Sequence, residues 1–188
     1  LGAGTGVVGI GADVLLGQCG TGEEDTGHSI IVTDLAEAVE LMAENIRLNG
    51  ATRCSAAELA WGVTDVGSAF DAPFDVVLMA EVAYLPETYS ALAATVAALS
   101  GPQTVVLHGY TPRDACRSDL LFAELSAHGF SHEELVGSSA VRDSSHKPHM
   151  HSNTNCTNSV HELVSHSSTQ GRAARAVAAA DRADGGGQ

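Results

Sequence analysis

Positive charge is scarce in this 188-residue chain. Lysine and arginine together number nine against 23 aspartates and glutamates, Lys147 is the single lysine, and the formal net charge is −14. A surface this acidic repels the phosphate backbone of nucleic acids and attracts cationic partners. Acidity also keeps a protein soluble without any further role. The charge balance therefore disfavours a nucleic-acid substrate and mildly favours a basic one.

Long apolar runs and closely spaced cysteines are also missing. No apolar run approaches the length of a membrane span, and the chain starts on glycines, not on the charged and apolar regions of a signal peptide. The cysteines at positions 19, 54, 116 and 156 form no C-x-x-C pair, which favours free thiols in a reducing compartment. We therefore expect a cytoplasmic protein without a membrane partner, with the nucleus as a second location.

Apolar runs alternate with segments of helical spacing along residues 7 to 136. "SIIVTD", "FDVVLMAEVAY" and "TVVLHGY" are short and largely apolar, as strands buried on both faces are. Residues 35–48 carry apolar side chains at helical spacing and end at Asn49-Gly50. This alternation predicts an open parallel α/β sheet with both faces covered. The predicted strands are 29–34, 54–62, 74–84, 104–110, 130–136 and 160–164, and the predicted helices are 7–16, 35–48, 86–99 and 113–128.

The composition changes after Gly137. Residues 138–159 are rich in serine, histidine and asparagine and are interpreted as a polar loop. Residues 165–188 are biased towards serine, alanine, arginine and glycine, which cannot build a core, and predict a disordered tail. We expect a single domain over residues 1–164.

The opening "LGAGTGVVGIG" contains two overlapping glycine patterns. Gly4, Gly6 and Gly9 fit the Gly-x-Gly-x-x-Gly turn of dinucleotide-binding proteins. Gly2, Gly4 and Gly6 fit Gly-x-Gly-x-Gly, the turn beneath the methionine half of S-adenosylmethionine in methyltransferases. Asp34 ends a predicted strand, where a carboxylate can accept hydrogen bonds from the ribose of either cofactor, and it also fits the N-cap of the next helix. These residues by themselves leave the cofactor open.

Later segments resemble the seven-strand S-adenosylmethionine-dependent protein lysine methyltransferases. The matching segments follow that family's order, and the most specific is Glu81-Val-Ala-Tyr84, where the family has Asp/Glu-x-x-Tyr. The resemblance covers residues 1–136 and extends to 164 if "VHELV" is the family's closing antiparallel strand. The segments are "LGAGTGVVGI", "VTDL", "NIRLNG", "ELAWG", "FDVVLMAEVAYLPETY" and "VVLHGYTPRD".

This resemblance implies a Rossmann-like seven-strand methyltransferase sheet with S-adenosylmethionine as the cofactor. The glycine turn would hold the methionine part, Asp34 the ribose, and Trp61 would lie beside the adenine. Ala80 would offer its backbone carbonyl to the methionine amine. Trp61 also fits an ordinary core tryptophan. The implied cofactor-binding residues are Gly2, Gly4, Gly6, Asp34, Trp61 and Ala80.

Glu81 and Tyr84 are the implied catalytic residues. They stand at the carboxyl end of a predicted strand, which is where open α/β sheets place their sites. A lysine arrives as an ammonium ion, because its ordinary pKa is about 10.4. Glu81 would attract and orient that ammonium, and Tyr84 would line the channel and add a cation–π attraction of about 0.5–2 kcal/mol. The alternative is that both residues have only a structural role at the end of a strand.

The predicted function is transfer of a methyl group to a protein lysine by a monomeric enzyme. The resemblance implies a chaperone or a translation factor as the substrate. A methyltransferase acting on an arginine or a small molecule is one alternative, and a non-catalytic module of the same fold is another. An RNA-base acceptor is disfavoured, since enzymes of nucleic-acid amines carry Asn/Asp-Pro-Pro-Tyr/Phe where this chain has "AEVAY". A nicotinamide oxidoreductase would have to bind NADH.

Two further features have ordinary explanations. The side chains at His146, His149, His151, Cys156 and His161 are of types that bind zinc, but their spacing matches no familiar site, and we predict a solvated loop and no metal site. Arg113 matches a position where the family often has an arginine, and a surface residue at a helix start explains it equally well.

The family's first strand ends in an acidic residue before Leu-Gly and lies in the middle of its sheet. This chain has no residue there, so the resemblance predicts an N-terminally truncated domain whose first strand is largely missing. The two neighbouring strands would then be unpaired along their edges. We expect residues 1–188 by themselves to fold poorly or to bind cofactor weakly. A cooperative melt that rises with added S-adenosylmethionine would contradict this.

Overall fold

The computed structural model describes residues 1–19, 27–63, 65–111, 115–136 and 159–165. Helices and strands alternate along these residues, as predicted. No helix among them is both long and apolar enough to cross a bilayer. The elements are α1 (Val7–Cys19), β1 (Ile30–Asp34), α2 (Ala36–Leu48), β2 (Cys54–Glu58), α3 (Val66–Ala69), β3 (Val76–Ala80), a 3-10 turn (Pro86–Thr88), α4 (Tyr89–Leu99), β4 (Val105–Tyr110), α5 (Ala115–Ala127), β5 (Phe130–Val136) and β6 (Ser159–Ser165).

The described strands form two ladders. β1 pairs with β2 in parallel, and the second ladder has the order β3-β4-β6-β5, in which β3 and β4 are parallel and β6 runs antiparallel to both of its neighbours. The predicted α/β class is therefore confirmed. The expectation of a parallel sheet is wrong for the second ladder, which is mixed because "VHELV" forms an antiparallel strand between β4 and β5. The edges of β1 and β3 that face each other have no ladder partner among the described strands.

Residues 1–3 lie between these two edges and hydrogen-bond to both. The Leu1 nitrogen donates to the Leu78 carbonyl of β3 at 2.8 Å, and the Ala3 N–H donates to the Thr33 carbonyl of β1 at 2.9 Å. A cavity beside them is lined by residues of both strands, including Ile31 and Val76. The start of the chain is thus the backbone link between the two ladders.

Several element bounds differ from the predicted ones. β2 ends at Glu58 and not at residue 62, since Glu58 pairs with Asp34, the last residue of its partner strand β1. β3 ends at Ala80 and not at residue 84, since Glu81 is left-handed at φ +54°. The short helix α3 was not predicted.

The polar loop and the tail fall mostly outside the described residues. The prediction is wrong at two border positions, where Ser159 and Ser165 belong to β6. Residues 138–158 and 166–188 lie outside the described part of the chain.

Two apolar clusters form the core. The larger one lies around β3, β4, α4 and α5 and includes fully buried Leu92, Val96 and Leu121. The smaller one joins α1 and α2 to β1 and β2 through Ile10, Met42 and their neighbours. Helix packing on each ladder therefore fixes the strand ends from which the functional residues project.

Gly9 brings helix α1 close to β1. A Cβ at Gly9 would overlap the Cγ1 methyl of Val32, a buried strand residue whose branched side chain has little freedom. Gly11, two residues further along α1, faces open space, because a Cβ there would meet nothing within 4 Å. Only the first of these two glycines is required by packing.

The pair gives a matched test of this contact. We expect Gly9→Ala to lower the free energy of unfolding by about 1–3 kcal/mol, because the added methyl overpacks the helix against β1. Gly11→Ala should instead raise it by about 0.5–1 kcal/mol, since alanine suits a helix interior better. Urea unfolding of both variants measures the difference, and equal effects would rule out close packing at Gly9.

A ring cluster fills the region between β4, β6 and α5. His108 of β4 is 1% exposed, stacks on Tyr110 at 4.9 Å between ring centroids, and lies opposite His161 in the antiparallel ladder. Neither ring nitrogen of His108 has a hydrogen-bond partner among the described residues. Burial, and secondarily His161, lowers the pKa of His108 to about 4, against a smaller opposing effect of Glu81.

This lowered pKa makes stability sensitive to acid. The unfolded chain takes up a proton at His108 near its ordinary pKa of about 6.5, whereas the folded chain does so near 4. Stability contributed by neutral His108 is therefore present above about pH 6.5 and is lost as the pH falls to about 4, by about 3 kcal/mol. His108→Phe should flatten that part of the pH profile of unfolding. An unchanged profile would show that His108 is not the group responsible.

Candidate functional site

The glycine turn contacts the segments that follow three strands. Ala3 and Gly4 bond to the end of β1, and Gly2 packs against both Trp61, beyond β2, and Val82, beyond β3. Parallel strands present their carboxyl ends at one edge, where open sheets hold their ligands. The candidate site is this meeting point of the turn with three strand ends.

Left-handed backbone makes glycine necessary at three positions of the turn. Gly2, Gly4 and Gly6 have φ values of +60°, +56° and +84°. A Cβ at Gly2 would lie 2.9 Å from Cγ1 of Val82 and 3.0 Å from Cζ2 of Trp61, so the turn approaches both closely. A Cβ at Gly4 would meet nothing within 4 Å, which leaves an open face of backbone at the centre of the turn.

Asp34 fastens the turn to the end of β1. Its Oδ2 accepts a hydrogen bond from the Gly4 N–H at 2.7 Å, and its Oδ1 accepts one from the Leu35 N–H at 2.8 Å. The N-cap interpretation of Asp34 is wrong, because Leu35 occupies the N-cap of α2 and no side-chain cap is formed. The carboxylate is instead held beside the open face of Gly4.

Trp61 packs on the core, as one of its two interpretations predicted, and its place beside the adenine stays a prediction. It is half-buried, packs on the larger apolar cluster, and borders Gly2. The next residue, Gly62, fixes its position: a Cβ there would lie 2.9 Å from the Cβ of Ala91 in α4, and the Gly62 N–H donates to Thr95 Oγ1 at 2.8 Å. Sequence reasoning missed Gly62, although the Trp-Gly pair after a strand was a usable signal.

Glu81 is held in a strained and anchored position directly after β3. Its left-handed backbone costs a residue with a side chain about 1–2 kcal/mol. Its N–H donates to the Gly109 carbonyl at 2.9 Å, and its Oε1 accepts hydrogen bonds from the Thr111 N–H at 2.7 Å and the Thr111 Oγ1 at 2.8 Å. Strain of this kind is characteristic of functional positions.

Thr111 was not predicted from the sequence. It is the first residue after β4, and Ala80, the last residue of β3, pairs in register with Gly109 two residues before it. A polar residue following the apolar run "TVVLHGY" was the only available signal. The ends of β3 and β4 are therefore joined through a carboxylate.

Tyr84 lies in the turn between β3 and the 3-10 turn, with 55% of its surface exposed. The Glu81 side chain is also exposed. The two predicted catalytic residues thus sit on one short exposed segment, and Val82 between them contacts the glycine turn through Gly2. The segment therefore places the hydrogen-bonded carboxylate of Glu81 and the exposed Tyr84 at the same edge of the sheet as the glycine turn.

The histidines and the cysteine of the predicted solvated loop lie mostly outside the described residues, as does Arg113. His161 is described, and it lies in β6 within the ring cluster, stacked on Tyr110 at 5.4 Å between centroids. Across the described ranges, no group of three or more histidine, cysteine, aspartate or glutamate side chains is arranged to hold a metal ion.

Comparison with known proteins agrees with this arrangement. A family model described as lysine methyltransferase matches residues 1–127. EEF1A lysine methyltransferase 3 of Mus musculus is 31% identical over 138 residues, which cover 72% of this chain and 53% of that protein. Protein N-lysine methyltransferase METTL21A of Danio rerio is 35% identical over 111 residues, which cover 57% of this chain and 45% of that protein. The chain thus spans about half the length of the curated relatives it matches.

Solved structures with the same fold share little sequence. The glycopeptide N-methyltransferase MtfA, complexed with sinefungin, superposes with a TM-score of 0.57 at 12% identity, over 87% of this chain and 84% of that one. This likeness establishes a Rossmann-like methyltransferase fold for the described elements.

Proposed function

Because this chain belongs to the lysine methyltransferase family, we propose that it transfers a methyl group from S-adenosylmethionine to the side-chain amine of a lysine in a protein substrate. The observation that carries the proposal is the contact of Gly2 with Val82. It joins the turn that would hold the cofactor to the Glu81–Tyr84 segment that would receive the lysine.

The residues of the turn fit S-adenosylmethionine. The cofactor has a zwitterionic amino-acid end and a ribose, which need backbone N–H groups, carbonyls and a carboxylate. The open backbone at Gly4 and the fixed Asp34 carboxylate beside it supply these groups at one edge of the sheet. The sinefungin bound by MtfA, an analogue of S-adenosylmethionine, is in keeping with this fit.

We assign the cofactor-binding roles to individual residues on that basis. Gly2, Gly4 and Gly6 would cradle the methionine part, and Ala80 would accept from its amine through the backbone carbonyl. Asp34 would accept from the ribose hydroxyls, and Trp61 would lie beside the adenine. When bound, the cofactor supplies an electrophilic methyl group on a sulfonium.

Glu81 would bring the lysine to this methyl group. The lysine ammonium and the Glu81 carboxylate attract each other, and hydrogen bonds from Thr111 hold that carboxylate at the end of β4. Attraction to a carboxylate favours the charged form of the amine, whereas the nearby sulfonium and exclusion of water favour the neutral form that can react. Glu81 is therefore assigned orientation and not proton abstraction, and the proton leaves to water.

Tyr84 would form a wall of the lysine channel. Its exposed ring can lie against the methylene stem and ammonium of an entering lysine, with a cation–π attraction of about 0.5–2 kcal/mol. An aromatic wall also displaces water from the amine. This pairing of a carboxylate with an aromatic ring favours lysine as the acceptor.

We further propose a cationic surface on the substrate, since the enzyme has a net charge of −14. The relatives named as EEF1A lysine methyltransferase 3 and as protein N-lysine methyltransferase METTL21A support a protein substrate, for which we keep a chaperone or a translation factor as the proposed class. We also propose that the protein is a monomer of the cytoplasm or the nucleus, with residues 1–164 as one domain. It would act without binding nucleic acid or a membrane.

Cofactor binding is tested with a matched pair of carboxylates. Asp34 ends β1 and Glu58 ends β2 opposite it in register, but only Asp34 bonds to the glycine turn. We expect Asp34→Asn to raise the Kd for S-adenosylmethionine about 10- to 100-fold, since a hydrogen bond to a charged group contributes about 1.5–3 kcal/mol. Glu58→Gln should leave it unchanged. Calorimetric titration measures the Kd for S-adenosylmethionine of both variants. Equal values would show that Asp34 does not bind the cofactor.

Methyl transfer is tested with tritiated S-adenosylmethionine and a cell lysate. The wild-type protein should label a protein band, whereas Glu81→Gln should lose most of the label and Tyr84→Phe part of it, with the Kd for cofactor unchanged. If the label appears on nucleic acid or on small molecules, the acceptor is not a protein lysine. Cofactor binding without any labelled product would support the non-catalytic module.

A further inference from the structure

We propose that Thr111 is a positioning residue for methyl transfer, acting through the Glu81 carboxylate, an inference that rests on the function proposed above. Two donors of this one residue converge on the same carboxylate oxygen. The Thr111 N–H lies 2.7 Å and the Thr111 Oγ1 2.8 Å from Glu81 Oε1.

The two donors come from outside the segment that carries Glu81. Glu81 follows β3, whereas Thr111 follows β4, thirty residues further along the chain. The Glu81 backbone is fixed to the same strand by its N–H bond to the Gly109 carbonyl. Hydrogen bonds to the end of β4 therefore hold both the main chain and the side chain of Glu81.

A glutamate at the surface would otherwise sample many rotamers. Glu81 is exposed, so surrounding side chains do not enclose it. Hydrogen bonds to a carboxylate are directional and stronger than those between neutral groups. Holding Oε1 fixes the plane of the carboxylate, so that an incoming ammonium meets it in one orientation and the amine is aimed consistently.

The hydroxyl can be removed without disturbing the backbone donor. Thr111→Val keeps the size, the branching and the N–H, and removes only Oγ1 as a donor. Thr111→Ser keeps the hydroxyl and removes the methyl. Thr88→Val is the matched control, because the Thr88 Oγ1 donates to the Leu85 carbonyl at 2.7 Å and does not involve Glu81.

Label transfer from tritiated S-adenosylmethionine to lysate protein should fall about tenfold in Thr111→Val. The Kd for S-adenosylmethionine should stay within about twofold of wild type, since Thr111 lies outside the glycine turn. Thr111→Ser should recover most of the transfer, and Thr88→Val should match wild type. Wild-type transfer in Thr111→Val, or a Ser variant as poor as the Val variant, would overturn the positioning role.

A double-mutant cycle on stability separates this inference from the proposed function. Urea unfolding of wild type, Thr111→Val, Glu81→Ala and the double variant should show coupling, because either single change removes the hydrogen bond between the side chains. The double variant should raise the unfolding constant severalfold less than the product of the two separate effects. Additive effects would overturn the anchor whatever the transfer assay gives. Suppose that the cycle shows coupling but the wild-type protein transfers no methyl group. The hydrogen bond between Thr111 and Glu81 would then be supported, and the proposed function would be overturned.

Discussion

The backbone hydrogen bonds of residues 1–4 hold the two strand ladders in a common frame. The Leu1 nitrogen bonds to β3, the Ala3 N–H bonds to β1, and the Gly4 N–H bonds to the Asp34 carboxylate. Among the described strands no ladder joins β1 to β3. The geometry of the candidate site therefore depends on a short turn whose backbone only glycine adopts readily.

Two kinds of close approach make that turn possible. Gly2 leaves room for Trp61 and Val82 on one side, and Gly9 lets α1 lie directly on Val32 on the other. Beyond the turn, Glu81 has a strained left-handed backbone, and its carboxylate accepts a hydrogen bond from the Thr111 hydroxyl. The site thus combines a permissive backbone that would receive a cofactor with a constrained carboxylate that would receive a cation, as preorganisation of a binding site requires.

Most of the fold could be predicted because its signals are local. Apolar runs gave β1, β3, β4 and β6, and the order of the motifs predicted the family that the comparisons show. The ends of β2 and β3 were predicted too far along, since β2 ends where its partner β1 ends and Glu81 leaves β3 where its N–H bonds to Gly109 of β4. Thr111 was missed for the same reason: its partner is thirty residues away. The predicted roles of all the candidate catalytic and cofactor-binding residues stay predictions.

The most direct measurement is mass spectrometry of the product formed with S-adenosylmethionine carrying a trideuterated methyl group. The wild-type protein is incubated with a lysate, and modified proteins are digested and sequenced. The account predicts the heavy methyl on the side-chain nitrogen of a lysine, in a protein whose labelling is lost with Glu81→Gln. A heavy methyl on arginine, on a small molecule or on nucleic acid, or equal labelling by the Glu81 variant, would contradict it.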